Sequence, residues 1–172
     1  MSNNLNPLSK FLLLFIGGLI LFYLFYYSPL YENYLMPGLL NIQAKLASGV
    51  LSLIGEKTWV EGDNIIGEKF KVSIKGGCDG MEATALYVIA ILALPLVSFK
   101  EKRPGLLYGL LILFVLNIIR IALLYYAGIY WPKGFEFMHL HGGVIVFTMI
   151  SVLLWLIWVN RILAKRQMSE SK

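Results

Sequence analysis

The sequence predicts an α-helical polytopic membrane protein, with about four transmembrane helices and, before the second span, an outer-face amphipathic helix and a small β-hairpin. Three observations predict it. Hydrophobic residues make up 58% of the 172 residues and charged residues 15%, with a mean hydropathy of +0.71, a membrane-protein composition. Four apolar runs of roughly 17–23 residues each match a hydrocarbon core of about 30 Å. The basic residues gather at the ends of those runs, as topology determinants do. The net charge of +5 is therefore no nucleic-acid footprint, and no nucleic-acid partner is expected.

The first run, Phe11 to Tyr27, follows Lys10. It is long for a signal-peptide core and no small-x-small site follows it, so residues 1–28 are read as a retained anchor helix. The second run goes from about Met81 to Phe99, the third from about Gly105 to Ala127, and the fourth from about Gly142 to Val159. Lys10, the linker Lys100-Glu101-Lys102-Arg103, and Arg161, Lys165 and Arg166 then share one side, which the positive-inside rule makes cytoplasmic. The expectation is a multi-pass protein of the cell membrane with both termini in the cytoplasm. The expected organisation is one membrane domain: the anchor, an extracytoplasmic segment 29–77, a three-helix catalytic core 78–162, and a cytoplasmic tail 163–172 that is polar and frayed after Arg166.

Within the outer segment, Leu39, Ile42, Leu46 and Val50 share a helical face. That helix either lies in the membrane interface or packs half-buried on the other helices. Lys69 to Lys75 alternates apolar and polar residues and predicts a strand. Thr58-Trp59-Val60 is its expected hairpin partner, with Glu61-Gly62-Asp63-Asn64 among the turn residues between.

Three residues are out of place in so apolar a chain. Cys78, the single cysteine, lies in Gly76-Gly77-Cys78-Asp79-Gly80, where the strand meets the second span. Asp79-Gly80-Met81-Glu82 reads as a helix N-cap followed by an acid, which sets Cys78 just outside a helix N-terminus on the outer surface. The helix dipole favours a thiolate there and the Asp79 carboxylate opposes it. Arg120 interrupts the third span, seven positions from its outer end, and Asn117 shares its helical face. An intramembrane guanidinium is costly and marks a function, a buried pair (Glu82 is the candidate) or snorkelling to headgroups. His139 and His141 enter the fourth span in Met138-His139-Leu140-His141-Gly142-Gly143. Too few further ligands surround them for zinc, so neither a metal nor another cofactor is expected. A thiol, a base and a cation at one membrane face fit cysteine acyl transfer.

These residues resemble the exosortase/archaeosortase family of membrane-embedded cysteine transpeptidases. The resemblance covers about the last 100 residues. It lies in Cys78-Asp79-Gly80 opening one helix, Asn117-Ile118-Ile119-Arg120 in the next, and His139-Leu140-His141-Gly142-Gly143-Val144-Ile145-Val146-Phe147 opening another. It implies that Cys78 is the nucleophile, His139 the acid/base, and Arg120 the oxyanion or thiolate partner. The spacing to Gly143 and Phe147 selects His139 over His141; Asn117, Asp79, Gly80, Glu82, His141 and Gly143 are supporting candidates. Expected partners are the lipid bilayer, exported proteins ending in a short motif, an apolar helix and a basic cluster, and an amine or hydroxyl acceptor in the envelope. Asp79 departs from the family's usual serine, and the chain has fewer spans than the larger members. A non-catalytic membrane scaffold with an Arg120–Glu82 pair is the main competing reading. A small transporter is disfavoured because no second intramembrane charge continues a path across.

Overall fold

The computed structural model describes residues 6–74 and 78–170. Lys75, the end of the expected strand, and the Gly76-Gly77 pair lie outside the described residues, as do residues 1–5 and 171–172. The element order is α1 (Pro7–Tyr26), a π-helical turn (Tyr31–Leu35), α2 (Met36–Leu53), β1 (Thr58–Glu61), β2 (Asn64–Gly67), β3 (Lys71–Ser73), α3 (Met81–Ala93), α4 (Phe99–Tyr130), α5 (Pro132–Phe137), a second π-helical turn (Met138–Gly142) and α6 (Gly143–Glu170). The architecture is that of a polytopic helical membrane protein. Three helices, α1, α4 and α6, are long and apolar enough to cross a bilayer, and α3 is a shorter apolar helix between them.

Proline accounts for the main departure from the expected spans. Leu94 precedes Pro95, which disfavours helical backbone, and Leu94 is extended (φ −68°, ψ 108°), so α3 ends at Ala93 instead of Phe99. The chain turns over 94–98, and the basic run Lys100–Arg103 forms the first turn of α4 rather than a linker. Ser98 and Glu101 form a reciprocal capping box there. Pro104 sits within the first two turns and α4 passes through it. At the other end of the chain, residues 167–170 continue α6 instead of fraying.

The segment between the first two expected spans also differs. Asn64 to Gly67 is a strand, so the sheet has three strands in the order β1-β2-β3, all antiparallel. Trp59 pairs with Ile66 and Ile65 with Val72, so Thr58-Trp59-Val60 does not pair with β3. Only Gly62 and Asp63 remain as the turn, with Gly62 at φ 63°, the conformation a two-residue hairpin loop requires. Helix α2 buries Leu40, Gln43, Ala44, Ala47, Ser48 and Leu51, whereas Ile42 and Leu46 of the expected apolar face are exposed. The small side chains of Ala44, Ala47 and Ser48 let the sheet approach closely, and Ser48 Oγ lies 2.7 Å from Thr58 Oγ1.

Two cores result. One joins α2, the sheet and the Ile118–Tyr125 stretch of α4, and includes Cys78. The other joins α3, α6 and the remainder of α4, around Tyr87, Ile91, Leu113, Phe147 and Trp158.

Candidate active site

The loop before α3 is held from four directions. Asn117 Nδ2 donates to the Cys78 carbonyl (3.1 Å) and Gln43 Nε2 to the Asp79 carbonyl (2.9 Å). The Asp79 carboxylate accepts the Met81 N–H through Oδ1 (3.2 Å) and the Tyr26 hydroxyl through Oδ2 (3.0 Å). The helix cap is Gly80, not Asp79. Gly80 is left-handed at φ 71°, and a Cβ there would lie 2.9 Å from Cγ of Asn117, so backbone and space both demand glycine. Cys78 is buried, 2% exposed.

His139 Nδ1 lies 3.1 Å from Cys78 Sγ. The histidine occupies the π-helical turn before α6, and its ring stacks on Phe135 at a centroid distance of 5.2 Å and 15° between planes. π-Helical turns recur at functional sites because the added residue re-aims a side chain. His141 is exposed, stacks on Phe137 and stands outside this cluster.

Arg120 completes the constellation. Its Nη2 lies 3.7 Å from Cys78 Sγ, its Nη1 3.5 Å from Asn117 Oδ1, and its guanidinium 5.7 Å from the Phe147 ring centroid. Gly143 provides the room: a Cβ at that position would meet Nη2 at 2.5 Å. Glu82 does not pair with Arg120; its carboxylate accepts the Tyr23 hydroxyl at 3.4 Å. The Arg120–Glu82 pair of the scaffold reading is therefore not formed.

Burial pushes the Cys78 thiol above its ordinary value. The Arg120 charge pulls it down, and Asp79 adds to the rise. Burial, then the Arg120 charge, pulls the His139 imidazole below its ordinary value. Both shifts favour a neutral thiol beside a neutral imidazole at rest. The arrangement suits general-base removal of the Sγ proton during attack rather than a standing ion pair.

An apolar groove of about 250 Å³ opens beside the site between α4 and α6. Leu116, Leu123, Met138, Val146 and Ile150 line it, and among the described residues Arg120 is its only charged wall residue. Among the described residues, no group of three or more His, Cys, Asp or Glu side chains could hold a metal ion.

Three side chains around the site escape sequence reasoning. Gln43 carries a weak signal, as a polar residue on the small-residue face of α2. Tyr26 and Phe135 carry none, because aromatic residues are common throughout the chain.

The transmembrane exosortase family model matches residues 9–156. Neither a curated protein nor a solved structure matches the chain. The family match spans most of the chain, from the first helix into α6, and takes in the thiol, the guanidinium and the imidazole. The chain belongs to the transmembrane exosortase family and is a multi-pass membrane protein.

Proposed function

We propose that this protein is a membrane-embedded cysteine transpeptidase. It cleaves the C-terminal sorting signal of exported proteins at the outer membrane–water interface and transfers the acyl group to an amine or hydroxyl acceptor in the envelope. Family membership supports a membrane sorting role. The observation that carries the chemistry is the convergence on one sulfur of His139 Nδ1 at 3.1 Å and Arg120 Nη2 at 3.7 Å.

The substrate's apolar helix lies along the α4/α6 groove and presents its motif to Cys78. His139 Nδ1 accepts the thiol proton as Sγ attacks the scissile carbonyl carbon. The carbonyl oxygen gains negative charge, which the Arg120 guanidinium stabilises in a water-poor site. The C–N bond breaks, the imidazolium returns its proton to the leaving amine, and a thioester remains on Cys78. The acceptor then gives a proton to His139 and attacks the thioester, the C–S bond breaks, and the imidazolium returns its proton to the departing Cys78 sulfur, which restores the neutral thiol and imidazole. Asn117 and Asp79 hold the Cys78 loop in place, and Asn117 also orients Arg120. Burial of the thiol keeps water away from the thioester and favours transfer over hydrolysis.

The test is co-expression with an exported protein carrying a tail of motif, apolar helix and basic cluster, followed by immunoblotting of its processing. Wild type shortens the substrate, and Cys78→Ala leaves it at full length while inserting normally. Continued processing by Cys78→Ala overturns the proposal.

A further inference from the structure

At the end of the bundle away from Cys78, α4 and α6 splay around a second, larger cleft of about 680 Å³. Its wall within the span is apolar and aromatic, with Ile112, Leu154, Ile157 and Trp158 among the lining residues. Its mouth is cationic: Lys100 on α4, and Arg161 and Lys165 one turn apart on α6, all exposed. None of the three makes an ion pair or hydrogen bond with another side chain among the described residues. The one acid in the lining, Glu101, is already engaged. It accepts from the Ser98 backbone N–H (3.0 Å), the Ser98 hydroxyl (2.7 Å) and Arg166 Nη2 (3.3 Å).

We infer that this cleft is a binding site for an anionic glycerophospholipid, its phosphodiester held by Lys100, Arg161 and Lys165 and one acyl chain lying along Ile112, Leu154 and Trp158. Charge complementarity selects the occupant. A zwitterionic lipid brings its own cation to a mouth that already holds three. A peptide helix ending in basic residues meets the same repulsion. The volume falls in the usual range for small-ligand sites, about 300–1,000 Å³. Basic pockets between membrane helices recur as phosphate-headgroup sites. The inference does not depend on the transpeptidase reading, because the cleft shares no residue with the Cys78 site.

Trp158 lines the cleft and reports on it. The full chain in mixed micelles is titrated with dibrominated phosphatidylglycerol or with dibrominated phosphatidylcholine of the same acyl chains, and tryptophan fluorescence is read. Phosphatidylglycerol is expected to quench at roughly a tenth of the mole fraction that phosphatidylcholine needs. Trp158→Phe removes that component of the quenching. The preference disappears in Lys100→Gln/Arg161→Gln/Lys165→Gln and persists in the charge-preserving Lys100→Arg/Arg161→Lys/Lys165→Arg. Equal quenching of wild type by the two lipids overturns the site even if the neutralised variant fails to fold. Survival of the preference after neutralisation, or of the full quenching in Trp158→Phe, also overturns it. Relief of quenching by millimolar glycerol 3-phosphate makes the ligand a free phosphate ester and overturns the lipid assignment.

Discussion

The seam between α4 and α6 has two ends, and they treat positive charge in opposite ways. At the Cys78 end a single guanidinium is drawn inside. It is fixed by Asn117, lies over Phe147 and points at the sulfur, in a groove of about 250 Å³ that is otherwise apolar. At the other end three cations stay exposed at the rim of a cleft of about 680 Å³, while the wall within the span is free of charge. A cation inside an apolar groove is held in one geometry and can meet charge that develops during a reaction. Cations at a rim keep their hydration and rotamer freedom, so they attract a ligand without orienting a reacting atom. The same two helices therefore present the proposed place for chemistry at one end and the proposed place for adhesion at the other.

Several measurements would break or sharpen that contrast. The largest effect is expected from Arg120→Gln, which keeps hydrogen-bonding capacity and removes the charge. Turnover of a tailed substrate should fall by about 10²–10³-fold with little change in KM, as for loss of an oxyanion donor. A change in KM alone would move Arg120 to the same adhesive role as the rim cations. Gly143→Ala comes next. Its methyl group enters the space of the guanidinium, and turnover should drop by about tenfold while the protein still inserts, because displacement of a catalytic group by about 1 Å costs one to two powers of ten. Full activity in Gly143→Ala would mean that the guanidinium position is not critical.

The third test uses pH. With the thiol raised and the imidazole lowered, alkylation of Cys78 should keep rising with pH beyond the range in which an ordinary thiol titrates, with no thiolate plateau at neutral pH. The acid limb of turnover should fall below about pH 6.5, since His139 stays neutral to lower pH than a free imidazole. A plateau near pH 6–7 would reveal a standing thiolate–imidazolium pair. The smallest effect belongs to Ser151→Ala, which removes the buried bond from Ser151 Oγ to the Ala83 carbonyl (2.7 Å) between α6 and α3. It should cost about 1 kcal/mol of stability in detergent melts and leave the alkylation profile unmoved.

Much of this was legible in the sequence where one residue type has few alternatives. Arg120 in an apolar run, a lone cysteine beside Gly80, and a histidine four residues ahead of Gly143 are each costly or conformationally specific. They mark the candidate site without any knowledge of contacts. The span boundaries were less legible because hydropathy does not register a local conformational stop: Val97 and Phe99 extend the apolar run, yet Pro95 ends the helix before them. The sheet was misread for a similar reason. Asn64 carries a turn signal, and only the tightness of the Gly62-Asp63 turn frees it to begin a strand. The orientation of α2 was hidden because alanines score as weakly apolar, so Ala44 and Ala47 did not mark the buried face against Ile42 and Leu46. Tyr26 and Gln43 reach Asp79 across long sequence separations, and no local pattern announces such a contact.

The shortness of α3 carries a consequence for the membrane itself. At 1.5 Å per residue its 13 residues rise about 20 Å, against a hydrocarbon core of about 30 Å, while the 32 residues of α4 rise about 48 Å. Helix α3 is thus too short to cross such a core by itself, and α2 and the sheet pack against α4 over Ile118–Tyr125. A helix this short is mismatched to a typical hydrocarbon core, and bilayers accommodate such a helix by local thinning. Reconstitution in bilayers of graded acyl length would vary that mismatch directly. Under the proposed transpeptidase reading, shorter chains are expected to bring the thiol nearer water and to shift products from acyl transfer toward hydrolysis, which would make bilayer thickness a determinant of outcome.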